Sequence, residues 1–189
     1  TASYVQNYLK ESGVESRLFE DESRPTSLKE RFRTNEKTLL RVSHLKQHSI
    51  DNELISEMLE SLREDIPKAD ILIFSDFNYG CLPQRLVDEI CTICKENGVK
   101  MVADSQSSSQ VGDISRFKDM ELITPTEREA RLGVGDFESG LAVLCEKLRE
   151  KCYADNIFIT LASDGLLINA HDIANLNGED SLYYTDRLK

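Results

Sequence analysis

The chain has 189 residues, 40% hydrophobic and 30% charged, with a formal net charge of -11. That is the make-up of a globular domain able to bury a sizeable core. Its acidity disfavours a general nucleic-acid or anionic-membrane surface, while leaving room for a small phosphorylated ligand held by backbone amides and a few local cations.

No apolar run is long enough to cross a bilayer, and the polar, helix-patterned start is not expected to be a signal peptide. Five cysteines without regular spacing point to reduced thiols and to the cytoplasm. Cys91 and Cys94 form a C-x-x-C inside an amphipathic helix, which reads as packing rather than redox or metal chemistry.

Taken in order, residues 3–12 repeat apolar groups at helical spacing and Gly13 stops them. Residues 15–20 alternate enough for a short strand. After Arg24-Pro25, residues 26–33 and 37–45 read as two polar strands with a bend at Thr34-Asn35-Glu36. Asp51 is placed to cap a helix reaching Asp65, with Leu54, Ile55, Met58, Leu59 and Leu62 on one face and Pro67 ending it.

The apolar run 71–74 reads as a central strand buried on both faces, the habit of parallel sheets. A helix follows Pro83, carries Leu86, Val87, Ile90, Cys91 and Cys94 inward, and ends at Asn97-Gly98. Further strands are expected at 99–103, 121–124 and 156–161, with a short helical segment at 114–118. Helical residues around 126–132 are broken by Gly133 and Gly135, and a helix over 137–152 turns Phe137 inward. Asp164-Gly165 reads as the tight turn of a hairpin into Leu166-Leu167-Ile168, and residues 181–185 as a final strand. The fold class is therefore α/β, a mainly parallel sheet flanked by helices with a small β element near the N-terminus.

Polar groups gather where strands end: Asp76, Asn78 and Tyr79; Asp104 and the serines 105–109; Thr124 to Glu129; Thr160 to Gly165. In a parallel sheet these share one edge, where α/β proteins bind ligands. Asp76, Asp104 and Glu129 are the acids that would hold Mg²⁺ through water; singly, each is as readily a cap or a surface acid. Lys29 and Arg31 share a strand face and could grip a phosphate, or form a solvated charged edge. His44, His48 and His171 show no catalytic partner, and no Walker, Gly-x-Gly-x-x-Gly or Gly-x-Ser-x-Gly motif occurs.

The order of these segments resembles the ribokinase-like carbohydrate kinases, nearest the branch of heptose-phosphate kinase domains found in ADP-heptose synthases. Pro25-Thr26-Ser27-Leu28-Lys29-Glu30-Arg31 resembles that branch's Pro-Thr-x-x-Lys-x-Arg strand, and Leu40-Arg41-Val42 its next strand. Ser75-Asp76-Phe77-Asn78-Tyr79-Gly80 resembles Ser-Asp-Tyr-x-Lys-Gly, with Tyr79 where the family has Lys. Thr124-Pro125-Thr126-Glu127-Arg128-Glu129 resembles Thr-Pro-Asn-x-x-Glu, and Thr160-Leu161-Ala162-Ser163-Asp164-Gly165 resembles Thr-Leu-Gly-x-x-Gly. Asp104 stands where the family has Asp-Pro-Lys.

The resemblance implies ATP-dependent phosphorylation of a sugar or sugar phosphate, with ATP and Mg²⁺ required. Lys29, Arg31, Asp76 and Asn78 would meet the acceptor. Asp104, Thr160, Ala162, Asp164 and Gly165 would line the nucleotide, and Glu129 would organise the metal. Residues 15–48 would form the sugar-side strands and 51–189 the nucleotide-side core of an incomplete kinase domain. The family's Gly-Ala-Gly-Asp, which carries the base, would fall beyond Lys189, so no catalytic base is assigned and the isolated segment is expected to be inactive. A homodimer and a fused nucleotidyltransferase domain are compatible partners. A non-catalytic nucleotide- or sugar-binding module is the competing reading.

Overall fold

The computed structural model describes residues 2–35, 37–107, 111–170 and 182–185. Helix α1 (Ala2–Glu11) ends at Gly13, whose φ of 73° only a residue without a Cβ takes easily. Strands β1 (Leu28–Thr34) and β2 (Lys37–His44) then pair antiparallel, turning at Asn35 with φ 47°. The expected strand at 15–20 does not form: those residues find no neighbouring strand among the described residues, and Arg17 instead pairs with Asp65 at 2.6 Å.

Helix α2 (Asn52–Asp65) starts where Asp51 accepts the Leu54 N–H at 2.8 Å, a cap that contributes about 1 kcal/mol. It buries Ile55 and Leu59 and gives way to a single 3₁₀ turn (Ile66–Lys68) at Pro67. Strand β3 (Ile71–Asp76) leads through a loop to α3 (Gln84–Asn97), which closes at Gly98 with φ 67°. Leu86, Val87, Ile90, Cys91 and Cys94 are all buried, as their spacing requires.

Strand β4 (Lys100–Ser105), a 3₁₀ turn (Ile114–Arg116), the short β5 (Leu122–Ile123) and α4 (Glu127–Val134) follow. Gly133 does not break α4: it is buried within the helix, where an added Cβ would lie 3.3 Å from Ile114 Cγ2, so close packing uses the missing side chain. Helix α5 (Leu141–Cys152) begins later than its periodicity suggests, and Phe137 is 63% exposed rather than inward. The reason lies in Asp136, which accepts N–H bonds from Glu138 and Ser139 and the Ser139 hydroxyl, holding that stretch as a turn.

Strands β6 (Asn156–Thr160), β7 (Leu166–Ala170) and β8 (Leu182–Thr185) complete a six-stranded sheet of order β3-β4-β5-β6-β7-β8. The first four strands are parallel, β7 pairs antiparallel with β6, and β8 pairs antiparallel with β7. The parallel core of four neighbouring strands agrees with the sequence reading. The place of β3 does not. It stands at one end of the described sheet, with Ile71 47% and Ile73 63% exposed, while Phe74 on its other face is 3% exposed and packs on Phe117 at 5.3 Å. An apolar run says that a strand is wanted in a sheet, not how many neighbours cover it.

Candidate functional site

The carboxyl ends of β3, β4, β5 and β6 lie along one edge, as a parallel sheet demands. At the end of β3, Asp76 is 4% exposed. Its Oδ1 accepts the Asn78 N–H at 2.8 Å and its Oδ2 accepts from Arg116 Nη2 at 2.7 Å. A buried carboxylate needs such partners, since an unpaired one would not stay ionised.

Asn78 sits with φ 58°, a left-handed conformation that asparagine tolerates better than most residues. Its Nδ2 donates to the Gln106 carbonyl at 2.8 Å and to Ser105 Oγ at 3.1 Å, and it lies so close to Gly112 that a Cβ there would come within 2.1 Å. The loops after β3 and β4 are thereby locked together. Asp76 and Asn78, read from sequence as bordering a ligand, spend these polar atoms on the loop after β3 itself, on Arg116 and on the loop after β4.

Lys29 approaches the same region from the β1–β2 hairpin. Its ammonium lies 5.4 Å from the Phe77 ring centroid and 5.0 Å from that of Tyr79, and the two rings stack 6.4 Å apart at 24°. Cations over such π-faces gain about 0.5–2 kcal/mol, depending on exposure. Arg31 shares the Lys29 face and stands directly opposite Arg41 of β2. The base of the hairpin is fixed by Arg24, which donates to the carbonyls of Tyr79 and His48, each at 2.7 Å, while its Nε meets Asp21 at 2.6 Å. Close approach of Gly80 to His48 O, where a Cβ would lie 2.2 Å away, completes the junction.

The acids nearer β5 form a second group. Asp104, Glu129 and Thr160 line an open cleft of about 610 Å³ together with Ser107, Thr126 and Arg128. Thr126 and Glu129 make a reciprocal capping box at the start of α4. Glu129 Oε2 accepts the Thr126 N–H at 2.8 Å, and Oε1 accepts the Ser107 N–H at 2.6 Å, so this 8% exposed acid joins the loop after β4 to the helix start. Asp104 accepts from Thr124 Oγ1 at 3.2 Å. Thr160 is tied to this floor by its N–H to the Pro125 carbonyl at 2.9 Å.

Ala162, Asp164 and Gly165 stand one turn further on, in the connection from β6 to β7. That connection is a five-residue turn closed by Leu161 N–H to Gly165 O at 2.9 Å, rather than the two-residue turn that Asp164-Gly165 suggests. Ala162 has φ 53°, the conformation for which the resembling motif carries glycine, and Gly165 has φ 108°.

Among the described residues no three histidine, cysteine or acidic side chains converge as a metal cage. Mg²⁺ needs none when it keeps its waters and rides on phosphates, for then one or two carboxylates suffice. Asp104 and Glu129 facing one cleft fit that use, and Glu129, with both oxygens already accepting N–H bonds, would act through water. Cys91 and Cys94 do not fit metal or redox chemistry: burial pushes both thiols up, that of Cys91 to about 11. His44 meets Glu30 at 2.9 Å and His48 meets Ser23 Oγ at 2.8 Å, while His171, Ser108, Ser109 and the tail at 175–181 and 186–189 lie outside the described residues.

Sequence spacing missed Arg116, which neutralises Asp76 from forty residues away, and Arg128, whose neighbours merely spell a helix start. Arg41 was findable, because pairing the two strands through the turn sets it opposite Arg31.

Residues 1–180 match the family described as pfkB family carbohydrate kinase. The bifunctional protein HldE of Desulfatibacillum aliphaticivorans is 29% identical over 154 residues, covering 80% of this chain and 31% of that protein. HldE of Aliarcobacter butzleri is 29% identical over 157 residues, covering 81% and 32%. The chain thus spans about a third of the length of these relatives. Ribokinase from Giardia lamblia superposes with a TM-score of 0.70 at 14% identity, over 99% of this chain and 56% of that one. Phosphofructokinase-2 from Escherichia coli gives 0.57 at 13% identity, over 79% and 47%. At such identities the likeness is one of fold, a ribokinase-like α/β arrangement.

Proposed function

Because this chain belongs to the pfkB family of carbohydrate kinases, we propose that it serves ATP-dependent phosphorylation of a hydroxyl on a sugar or sugar phosphate, of the kind its heptose-phosphate-kinase-like motifs imply. The observation that carries the reading is the meeting, along one sheet edge, of a basic hairpin face and a carboxylate-lined cleft.

In this reading the cleft of Asp104, Glu129, Arg128 and Thr160 takes the polyphosphate, with Ala162, Asp164 and Gly165 beside the nucleotide. Lys29 and Arg31 hold the acceptor. Asp76 acts at one remove, keeping Arg116 and Asn78 in place so that the loop after β3 presents Phe77 and Tyr79 to Lys29. Mg²⁺, when bound with ATP, would screen the charge that develops on the transferring group. The chain's own work is to position both partners and exclude water between them. No described residue is assigned as the base that takes the acceptor's proton.

The same proposal extends to a cytoplasmic setting, to a fused nucleotidyltransferase domain in keeping with relatives called bifunctional, and to pairing of two copies through the hairpin. Leu28, Phe32 and Leu40 share its outer face and are each more than half exposed, and a two-stranded sheet is marginal until such a face is covered.

A second reading, a binding module without turnover, draws on Tyr79 standing where the resembling motif has lysine and on its ring already facing Lys29. Turnover separates the two. The full-length protein, with ATP, Mg²⁺ and a panel of sugars and sugar phosphates, is expected to release ADP in proportion to enzyme and acceptor. Saturable binding of ATP with no ADP above the no-acceptor control would leave the module.

A further inference from the structure

Residues 77–79 and residues 105–107 lie past the ends of different strands and serve different halves of the site. Phe77 and Tyr79 hold the Lys29 ammonium of the hairpin, 5.4 and 5.0 Å from their ring centroids. Gln106 and Ser107 line the cleft beside Asp104 and Glu129. Asn78 stands between the two aromatic residues, and its amide crosses to the other loop. There Nδ2 donates to the Gln106 carbonyl at 2.8 Å and to Ser105 Oγ at 3.1 Å. The next residue, Ser107, gives its N–H to Glu129 Oε1 at 2.6 Å, and Glu129 Oε2 takes that of Thr126 at the helix start. A run of bonds thus leads from the rings that hold the hairpin cation to the buried acid of the cleft.

Gly112 makes room for this bridge. A Cβ there would lie 2.1 Å from Asn78 Nδ2 and 2.8 Å from its Cγ, well inside the roughly 3.5–4.0 Å at which non-bonded atoms rest. Its φ is not left-handed, so the space and not the backbone calls for glycine. Asn78 itself, at φ 58°, is a residue type that accepts that conformation while carrying two amide donors. The resembling motif, Ser-Asp-Tyr-x-Lys-Gly, leaves the position of Asn78 open, so the bridge is a feature of this chain's own residues.

We propose that Asn78 is a positioning residue that couples the two halves of the site. Filling the cleft with a Mg²⁺-nucleotide steadies the aromatic pair beside Lys29, and filling the hairpin side steadies Ser107 and Glu129. The coupling rests on the Asn78 contacts, and on the kinase reading for what fills each half. The last ladder bond, Gln106 N–H to Asp76 O at 2.8 Å, fixes where the two loops leave the sheet. The amide ties them further out and has two arrangements, bridging or released. A ligand that needs either loop in place favours the bridged one. Linkage makes the effect reciprocal, each ligand tightening the other by one factor.

The test is hydrogen exchange on the full-length protein, resolved to single amides, with Mg²⁺-ADP as the probe. The N–H of residue 78 bonds to Asp76 Oδ1 and reports on one loop; that of Ser107 bonds to Glu129 and reports on the other. In the unsubstituted protein Mg²⁺-ADP is expected to slow exchange at both. In Gly112→Ala, whose new methyl displaces the amide, and in Asn78→Gly, which keeps the left-handed backbone, slowing is expected at Ser107 only. Calorimetry gives the second readout. The Kd of Mg²⁺-ADP is measured with and without each member of a panel of free sugars and hexose and heptose monophosphates. The best of them should lower it at least about fivefold in the unsubstituted protein, and leave it unmoved in both variants. If Gly112→Ala lowers Tm, adding Asn78→Gly relieves the clash and should restore Tm without restoring the coupling.

Slowing that stops at Ser107 in the unsubstituted protein would sink the coupling alone. So would slowing at residue 78, or a fivefold shift in Kd, that survives in both variants. No slowing at Ser107 in any of the proteins would remove the nucleotide from the cleft and the coupling with it. Coupling that disappears in the variants, in a protein that forms no ADP from ATP with any acceptor of the panel, would sink the kinase reading alone.

Discussion

Arg116 reaches across forty residues of sequence to meet Asp76 at 2.7 Å, and the carboxylate it meets is almost wholly enclosed. The guanidinium also donates to the Leu82 carbonyl at 3.0 Å and lies 4.3 Å from the Phe117 ring centroid. This pair ties the end of β3 and the Leu82 segment before α3 to the 3₁₀ turn at Ile114–Arg116.

Asp76→Ala is therefore expected to leave a cation 17% exposed without its partner and to cost about 3 kcal/mol. Urea unfolding monitored by circular dichroism measures the loss. Asp76→Ala paired with Arg116→Met should regain much of it, since removing both charges spares the stranded one. A single variant as stable as the original protein would mean that the pair is ornamental.

Glu129→Gln keeps the shape and removes the charge. The two N–H groups of Ser107 and Thr126 are accepted by different carboxylate oxygens, and the amide's NH₂, itself a donor, would replace one of them and face an N–H, so loop and helix start should part. Faster hydrogen exchange at Ser107 is the expected signature. In the full-length protein a fall in kcat, partly recovered at high Mg²⁺, should accompany it. Unchanged exchange together with unchanged turnover at every Mg²⁺ concentration would remove Glu129 from the site.

Asp136 offers a pH test away from the cleft. Hydrogen bonds from the Lys147 ammonium and from Ser139 hold its carboxyl well below the ordinary value of 3.8. A carboxyl whose folded pKa is depressed contributes stability above its unfolded pKa, and that contribution fades as pH falls through the folded value. The stability difference between the original protein and Asp136→Asn should hence stay level from pH 5 to pH 8 and shrink below about pH 4. A difference that persisted undiminished in acid would point to shape, not charge, as what Asp136 supplies.

Much of the architecture was legible because it is local. Asp51 capping α2, Gly98 and Gly135 closing their helices, and the inward row of α3 all follow from spacing that a reader can count. Strand neighbours in the parallel core followed from chain order. The failures are non-local. Residues 15–20 have strand-like alternation and no strand to pair with among the described residues, and Ile73 has an apolar side chain with nothing described to cover it. The candidate site divides in the same way. Glu129 and Thr160 could be placed beside one cleft from strand ends alone, whereas the occupation of Asp76 by Arg116 depends on a contact that no motif encodes.

The junction at Arg24 has a mechanical consequence. With its guanidinium fastened to Tyr79 O and His48 O, and Gly80 pressed against His48, the hairpin is a cantilever clamped at its root. A beam of that kind cannot swing as a rigid flap; it bends, and its deflection grows with distance from the clamp. Lys29, near the root, is then the least mobile of its cations, and Lys37 at the tip the most. Arg31 and Arg41 lie between these extremes. Stepwise loosening of amide protection from Leu28 toward Thr34 would be the imprint of such a beam.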